Sequence, residues 1–170
     1  MKKRITMLSF FLLLILASCS NNDDTTAETD IKSLIHDYST DQRTAVNASV
    51  DATHLTVEED SEQAQYELPE DEFFVSIAPY VHTTHPCTFH SLTGCQSELT
   101  NATFDVYIED TDGNVILDDT IESFDNGFID LWLPRNQTFD VTITFEDKQT
   151  EATISTFEDD ATCITTMQLV

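Results

Sequence analysis

Three cysteines carry most of the chemistry open to this 170-residue chain: Cys87, Cys95 and Cys163. Histidines crowd the first of them, in the run His82-x-x-His85-Pro86-Cys87-x-x-His90. Structural cysteines pair in an oxidising compartment, so an odd number leaves at least one thiol over. Two readings are open. In the ordinary one Cys87 and Cys95 form a disulfide that closes a small loop, and Cys163 is a buried, inert thiol. In the other, the three sulfurs make one site for a soft cation. Thiolates select cuprous copper or zinc over hard ions; zinc normally asks for a fourth ligand, whereas cuprous copper accepts three. His90, His85 and His82 are the candidate auxiliary ligands, able to complete a zinc site or to help capture cupric copper. A single histidine in such a place is more often a surface or core residue than a ligand.

Geometry limits how these residues can meet. A fully extended stretch from Cys87 to Cys95 would span up to about 28 Å, so Leu92-Thr93-Gly94 must turn the chain back. Cys163 heads a late strand candidate that a sheet could bring alongside.

The elements expected to do this positioning fall in two regions. Ile31, Leu34, Ile35 and Tyr38 lie at i, i+3, i+4 and i+7, which predicts a short helix capped by Asp30 or Thr29. Residues 41–46 could add a further turn or two, and 58–65 reads as a charged loop. From Phe73 the apolar period changes to two. Phe73–Ile77 is a strand candidate stopped by Pro79. Phe104, Val106 and Ile108 lead into Asp112-Gly113, a hairpin turn signal, with Val115 and Leu117 returning. Asn126-Gly127 marks another turn before Phe128–Leu133. Phe139, Val141, Ile143 and Phe145 alternate, followed by Ile154 and then Ile164–Leu169. Seven or eight short strands predict a mainly β fold, an antiparallel immunoglobulin-like β-sandwich with a short N-terminal helical segment. Trp132, between Leu131 and Leu133, reads as a core anchor rather than a lid over a metal.

Composition excludes several function classes. With 32 acidic against 7 basic residues and a formal charge of −25, the chain cannot neutralise a phosphate backbone or an anionic lipid surface. Three glycines cannot build a phosphate-binding loop. Neither a Gly-x-Ser-x-Gly elbow nor a His-Glu-x-x-His helix occurs. Asp110-x-Asp112-Gly113-Asn114 lacks the order of a calcium loop and reads as a turn. Paired acids such as Glu58-Glu59 and Asp118-Asp119 sit in solvated stretches and make weak general acids.

The first residues read as an address. Lys2, Lys3 and Arg4 precede an apolar run, Ile5–Leu16, that is too short to span about 30 Å of hydrocarbon, as in a signal peptide. Leu16-Ala17-Ser18-Cys19 resembles a bacterial lipobox, which implies cleavage before Cys19 and a diacylglycerol on its sulfur. Cleavage removes three of the seven cations and takes the formal charge to −28. The expected organisation is a signal peptide (1–18), a lipidated cysteine with an acidic tether (19–29), a short helical and irregular region (30–70), and a β-sandwich domain (71–170).

Residues 74–80 (Phe-Val-Ser-Ile-Ala-Pro-Tyr) and 84–95 (Thr-His-Pro-Cys-Thr-Phe-His-Ser-Leu-Thr-Gly-Cys) together resemble the CueP family of periplasmic copper-binding proteins. The likeness resumes at Asn126-Gly127-Phe128, at Leu131-Trp132-Leu133-Pro134-Arg135 and at Asp160-Ala161-Thr162-Cys163-Ile164-Thr165-Thr166, and covers residues 70–170. The resemblance implies copper held by three family cysteines, which map onto Cys87, Cys95 and Cys163, with His90 the best placed auxiliary histidine. It implies a role in envelope copper storage, tolerance or delivery to a copper enzyme. The lipobox makes this a tethered version, on the outer face of the cell membrane or in a Gram-negative periplasm. A short N-terminal region sets it apart from its relatives.

Three functions follow in order. The first is a binding module holding Cu(I), with zinc as a substitute, not an enzyme, and partnered by a copper-receiving protein and a thiol reductant. The second is a thiol-dependent Cu(II) reductase in which Cys87 and Cys95 pair as copper is reduced. The third is a structural, disulfide-stapled envelope lipoprotein without metal.

Overall fold

The structure, a computed structural model, describes residues 24–170. The expected signal peptide and Cys19 lie outside the described residues. The elements in chain order are α1 (Asp24–Ser39), β1 (Asn47–Val50), β2 (His54–Glu59), β3 (Glu62–Glu67), β4 (Glu72–Ile77), β5 (His90–Ser91), β6 (Thr103–Asp110), β7 (Val115–Glu122), β8 (Ile129–Pro134), β9 (Thr138–Phe145), β10 (Lys148–Ser155) and β11 (Cys163–Ile164). The fold is mainly β, sandwich-like, with antiparallel sheets and one short helix, as the alternating apolar pattern predicts.

Three sheets are formed, in the orders β3-β2-β1-β5, β10-β9-β6-β7 and β11-β4-β8. The last is the middle layer. Phe73, Val75 and Ile77 of β4 and Ile129, Leu131 and Leu133 of β8 pack against Phe104, Val106, Ile108, Phe139, Val141 and Ile143 of the second sheet. Phe74, the alternate residue of β4, turns to the opposite side. There it joins Ile31, Ile35 and Tyr38 of α1, Ala48 and Val50 of β1, and Leu55 and Val57 of β2. Burial on both faces explains why β4 reads as a continuous apolar run while its neighbours alternate. Trp132 pairs with Phe74 across the strands and meets it edge-on at 5.4 Å, under the Lys32 ammonium. It is a core anchor on the helical side, as expected.

Two boundaries differ from the sequence reading. The helix begins at Asp24, inside the stretch expected to be tether. The region 30–70 is not helical and irregular throughout: β1, β2 and β3 form an antiparallel meander over 47–67 that includes the expected loop at 58–65. The β2–β3 turn is Asp60-Ser61, both at positive φ, the backbone of a two-residue hairpin turn without its usual glycine. Every residue of β3 is exposed, so that strand has no apolar period to find. Residues 41–46 add no helix.

One acidic side chain fastens α1 to the middle sheet. The Asp130 carboxylate of β8 accepts hydrogen bonds from Ser39 Oγ at the end of α1 (2.5 Å) and from Ser76 Oγ of β4 (2.6 Å). Burial pushes its pKa up, against the opposing pull of the two serine hydroxyls and of His36. A carboxyl that keeps its proton longer when folded favours folding most below its unfolded value near 3.8, and that contribution is lost as pH rises through the folded value. The Asp130→Asn variant, which does not ionise, should therefore gain on the wild type as pH rises from about 3.5 to about 7. Urea midpoints across that range measure it; parallel curves would contradict the assignment.

Candidate metal centre

The three cysteines arrive from two separated stretches. After β4 the chain passes through Pro79 into a loop that carries Cys87, forms the two-residue strand β5, turns at 92–94 and delivers Cys95. The turn is closed by the Cys95 amide donating to the Ser91 carbonyl at 3.0 Å. Cys163 comes from β11, which pairs in parallel with β4 in the register Cys163 to Ser76 and Ile164 to Ile77. The three Sγ atoms lie within 4.8 Å of one another. Ala78 and Phe128 form the buried apolar wall against which Cys163, Cys87 and Cys95 pack.

The pairing corrects the ordinary expectation. Cys87 is bonded to Cys163, with Cα atoms 5.6 Å apart, and Cys95 is the free thiol. Cys163 is therefore not inert. It faces Cys87 because parallel register, not proximity along the chain, sets the distance. The Cys95 S–H points at the Cys87 sulfur from 3.7 Å. Thiol–disulfide exchange is open at that range: a Cys95 thiolate attacking Cys87 Sγ would release Cys163 as thiolate, so one step separates the observed and the expected pairings. Partial burial pushes the Cys95 thiol pKa up, and the Ser91 backbone opposes this only in part. At neutral pH Cys95 is thus a protonated thiol that loses its proton when something binds the sulfur.

The loop is fastened to the C-terminal segment chiefly by threonines. The Thr88 carbonyl accepts from the amides of Thr162 (2.9 Å) and Cys163 (3.2 Å). Thr162, fully buried, donates its hydroxyl to the Val50 carbonyl at 2.6 Å and accepts from the His90 amide at 3.1 Å. Thr84 Oγ1 donates to the Thr165 carbonyl (2.6 Å), and Thr165 Oγ1 donates to the His85 carbonyl (2.7 Å). At Gly127, φ is +81°, and a Cβ would stand 3.0 Å from Ser97, so the Asn126-Gly127 turn lets Cys95's own loop lie close. In sequence, Gly127 was read as a turn and the threonines only as part of the family motif, not as the residues that tie the loop down.

The histidines separate. Among the described residues none joins the sulfur cluster. His82 is exposed and engages through its backbone amide. His85 has its ring nitrogens at 3.1 Å from the Gln96 carbonyl and 3.2 Å from the Pro86 carbonyl. His90 is wholly buried, its ring 4.5 Å from Phe128 and 6.2 Å from Phe74, with neither nitrogen hydrogen-bonded. Burial, and secondarily the charge of His85, drives its pKa down to about 3, so the ring is neutral.

Comparisons with known proteins bear on this geometry. The family described as periplasmic copper-binding protein CueP matches residues 30–168. A solved structure described as the crystal structure of S.CueP is 33% identical, with a TM-score of 0.78, over 82% of this chain and 88% of that one. Comparison with curated protein sequences finds no match.

Thr162 offers a direct check on the scaffold. Thr162→Val keeps the shape but leaves the buried His90 amide and Val50 carbonyl without this partner, a loss of about 1–3 kcal/mol. Chemical unfolding measures it, and an unchanged midpoint would show that the hydroxyl holds nothing.

Proposed function

The chain belongs to the CueP family of periplasmic copper-binding proteins, and from that premise we propose that it holds cuprous copper between Cys87, Cys95 and Cys163 once the Cys87–Cys163 bond is reduced. The observation that carries this reading is the convergence of three sulfurs within 4.8 Å on a wall made by Ala78 and Phe128. The donor set is soft, and no histidine or carboxylate among the described residues completes a tetrahedron with it. That favours three-coordinate Cu(I) over zinc. Binding releases the thiol protons, and reduction of the disulfide must come first, two electrons and two protons from a thiol donor of the envelope. His90, neutral and unpartnered, is the histidine best suited to an auxiliary part. Lipidation at Cys19 would hold the site near the membrane, where copper could be stored or passed on to a copper enzyme.

The test is an anaerobic cuprous-copper titration of reduced protein, residues 20–170, against a coloured chelator. One ion per chain is expected, with affinity falling by about tenfold or more in each of Cys87→Ser, Cys95→Ser and Cys163→Ser. Affinity indifferent to all three substitutions would overturn the proposal.

The disulfide beside a free thiol favours a second reading, a cupric reductase. Two Cu(II) ions would become two Cu(I) as the Cys87 and Cys163 thiols lose two protons and two electrons and form their bond. Cupric ion added to reduced protein should then remove two titratable thiols for every two cuprous ions formed. Thiols that all remain titratable would exclude it.

A further inference from the structure

The cysteine-bearing loop is closed at its base by a carboxylate. Glu98, three residues after Cys95, accepts hydrogen bonds from three successive backbone amides ahead of Cys87. Its Oε1 takes Val81 N–H at 3.2 Å and His82 N–H at 3.1 Å; its Oε2 takes His82 N–H at 3.0 Å and Thr83 N–H at 2.5 Å. Both oxygens are engaged, so the side chain cannot rotate without losing bonds to two residues at once. The segment it grips is itself anchored to the C-terminal strand region. The Tyr80 amide donates to the Met167 carbonyl at 3.1 Å, the Leu169 amide to the Tyr80 carbonyl at 2.8 Å, and Gln168 Nε2 to the Val81 carbonyl at 3.1 Å.

The consequence differs for the three sulfurs. Cys163 is placed by sheet register and Cys87 by the bonds to Thr88 and by its disulfide. Cys95 has no covalent partner. Its amide donates to the Ser91 carbonyl and the Ser97 amide to the Asn126 carbonyl at 2.8 Å; the chain then reaches Glu98, which ties this stretch to the one ahead of Cys87. On the three-thiolate reading, we infer that Glu98 is the positioning residue for Cys95: its carboxylate ties the stretch leaving Cys95 to the stretch entering the Cys87 loop and so fixes the third sulfur against the other two. A carboxylate suits this task because charged acceptors bind backbone N–H groups more strongly than neutral ones. Asp51, Asp110 and Asp160 also accept from backbone amides, but only within four residues of themselves, whereas Glu98 reaches back 15 to 17 residues and so joins two separate stretches of the loop.

Glu98→Gln keeps one acceptor oxygen but turns an amide N–H₂ toward backbone donors, and Glu98→Ala removes both acceptors. Each should weaken cuprous-copper binding, Ala more than Gln, within the roughly 10- to 100-fold range typical of residues that orient metal ligands. The discriminating measurement is a double-mutant cycle with Cys95→Ser. With Cys95 gone, the Glu98 substitutions should cost nothing further in copper affinity, whereas a general loosening of the fold would cost the same in both backgrounds. Equal losses in both backgrounds, or no loss in either, would overturn the assignment. A second readout does not involve copper. In the oxidised mature protein, the alkylation rate of Cys95, followed by peptide mass spectrometry, should rise several-fold in Glu98→Gln. An unchanged rate would count against the latch. If Cys95→Ser alone leaves copper affinity intact, the three-thiolate reading fails while the alkylation experiment still decides the role of Glu98.

Discussion

A two-residue parallel pairing at the end of the middle sheet is the constraint on which the rest depends. The Ser76 amide donates to the Thr162 carbonyl and the Ala78 amide to the Ile164 carbonyl, each at 2.8 Å. These bonds fix where Cys163 sits relative to a loop that is 76 residues away in sequence. A slip of one residue would turn Cys163 to the other face of the sheet, since side chains alternate. The core shared by β4–β8 and β6–β9 packs one face of β4, and α1 with the β1–β2 pair covers its other face. The fold therefore supplies a rigid edge, and the threonines and Glu98 tie a loop to it.

Such an arrangement holds three sulfurs together whether or not two of them are bonded. The same backbone hydrogen bonds that place Cys87 beside Cys163 also place it 3.7 Å from Cys95. Reduction would break one S–S bond and leave the scaffold contacts untouched, so little reorganisation would accompany a change between disulfide and thiolate forms. Preorganisation of this kind lowers the entropic cost of bringing three soft donors to one ion. The partly buried position of Cys95 keeps it protonated until it is used, which also limits unwanted oxidation.

The fold was legible in sequence where one face of a strand is buried and the other wet. Phe104, Val106 and Ile108, then Phe139, Val141 and Ile143, announce β6 and β9, and Gly113 at φ +80° announces the turn between β6 and β7. The three-layer order was not legible, because β3 buries nothing and its turn uses Asp60-Ser61 where Asn-Gly would have been recognised. Leu55 and Val57 carried an alternation that could have revealed β2. At the site, the three cysteines and their family resemblance could be read directly, but the pairing could not, since it depends on the register of β11. Where the histidines of the run around Cys87 point was not legible for a similar reason. Adjacency in His-x-x-His-Pro-Cys-x-x-His says nothing of direction, and β5 turns the His90 ring between Phe74 and Phe128.

The central claim is that copper would sit among three sulfurs held in place by the protein fold. X-ray absorption at the copper edge of the reduced, Cu(I)-loaded protein tests it most directly. A first shell of three sulfur atoms, with one lost in Cys95→Ser, is the predicted result. A shell of nitrogen and oxygen neighbours, unchanged by that substitution, would contradict it.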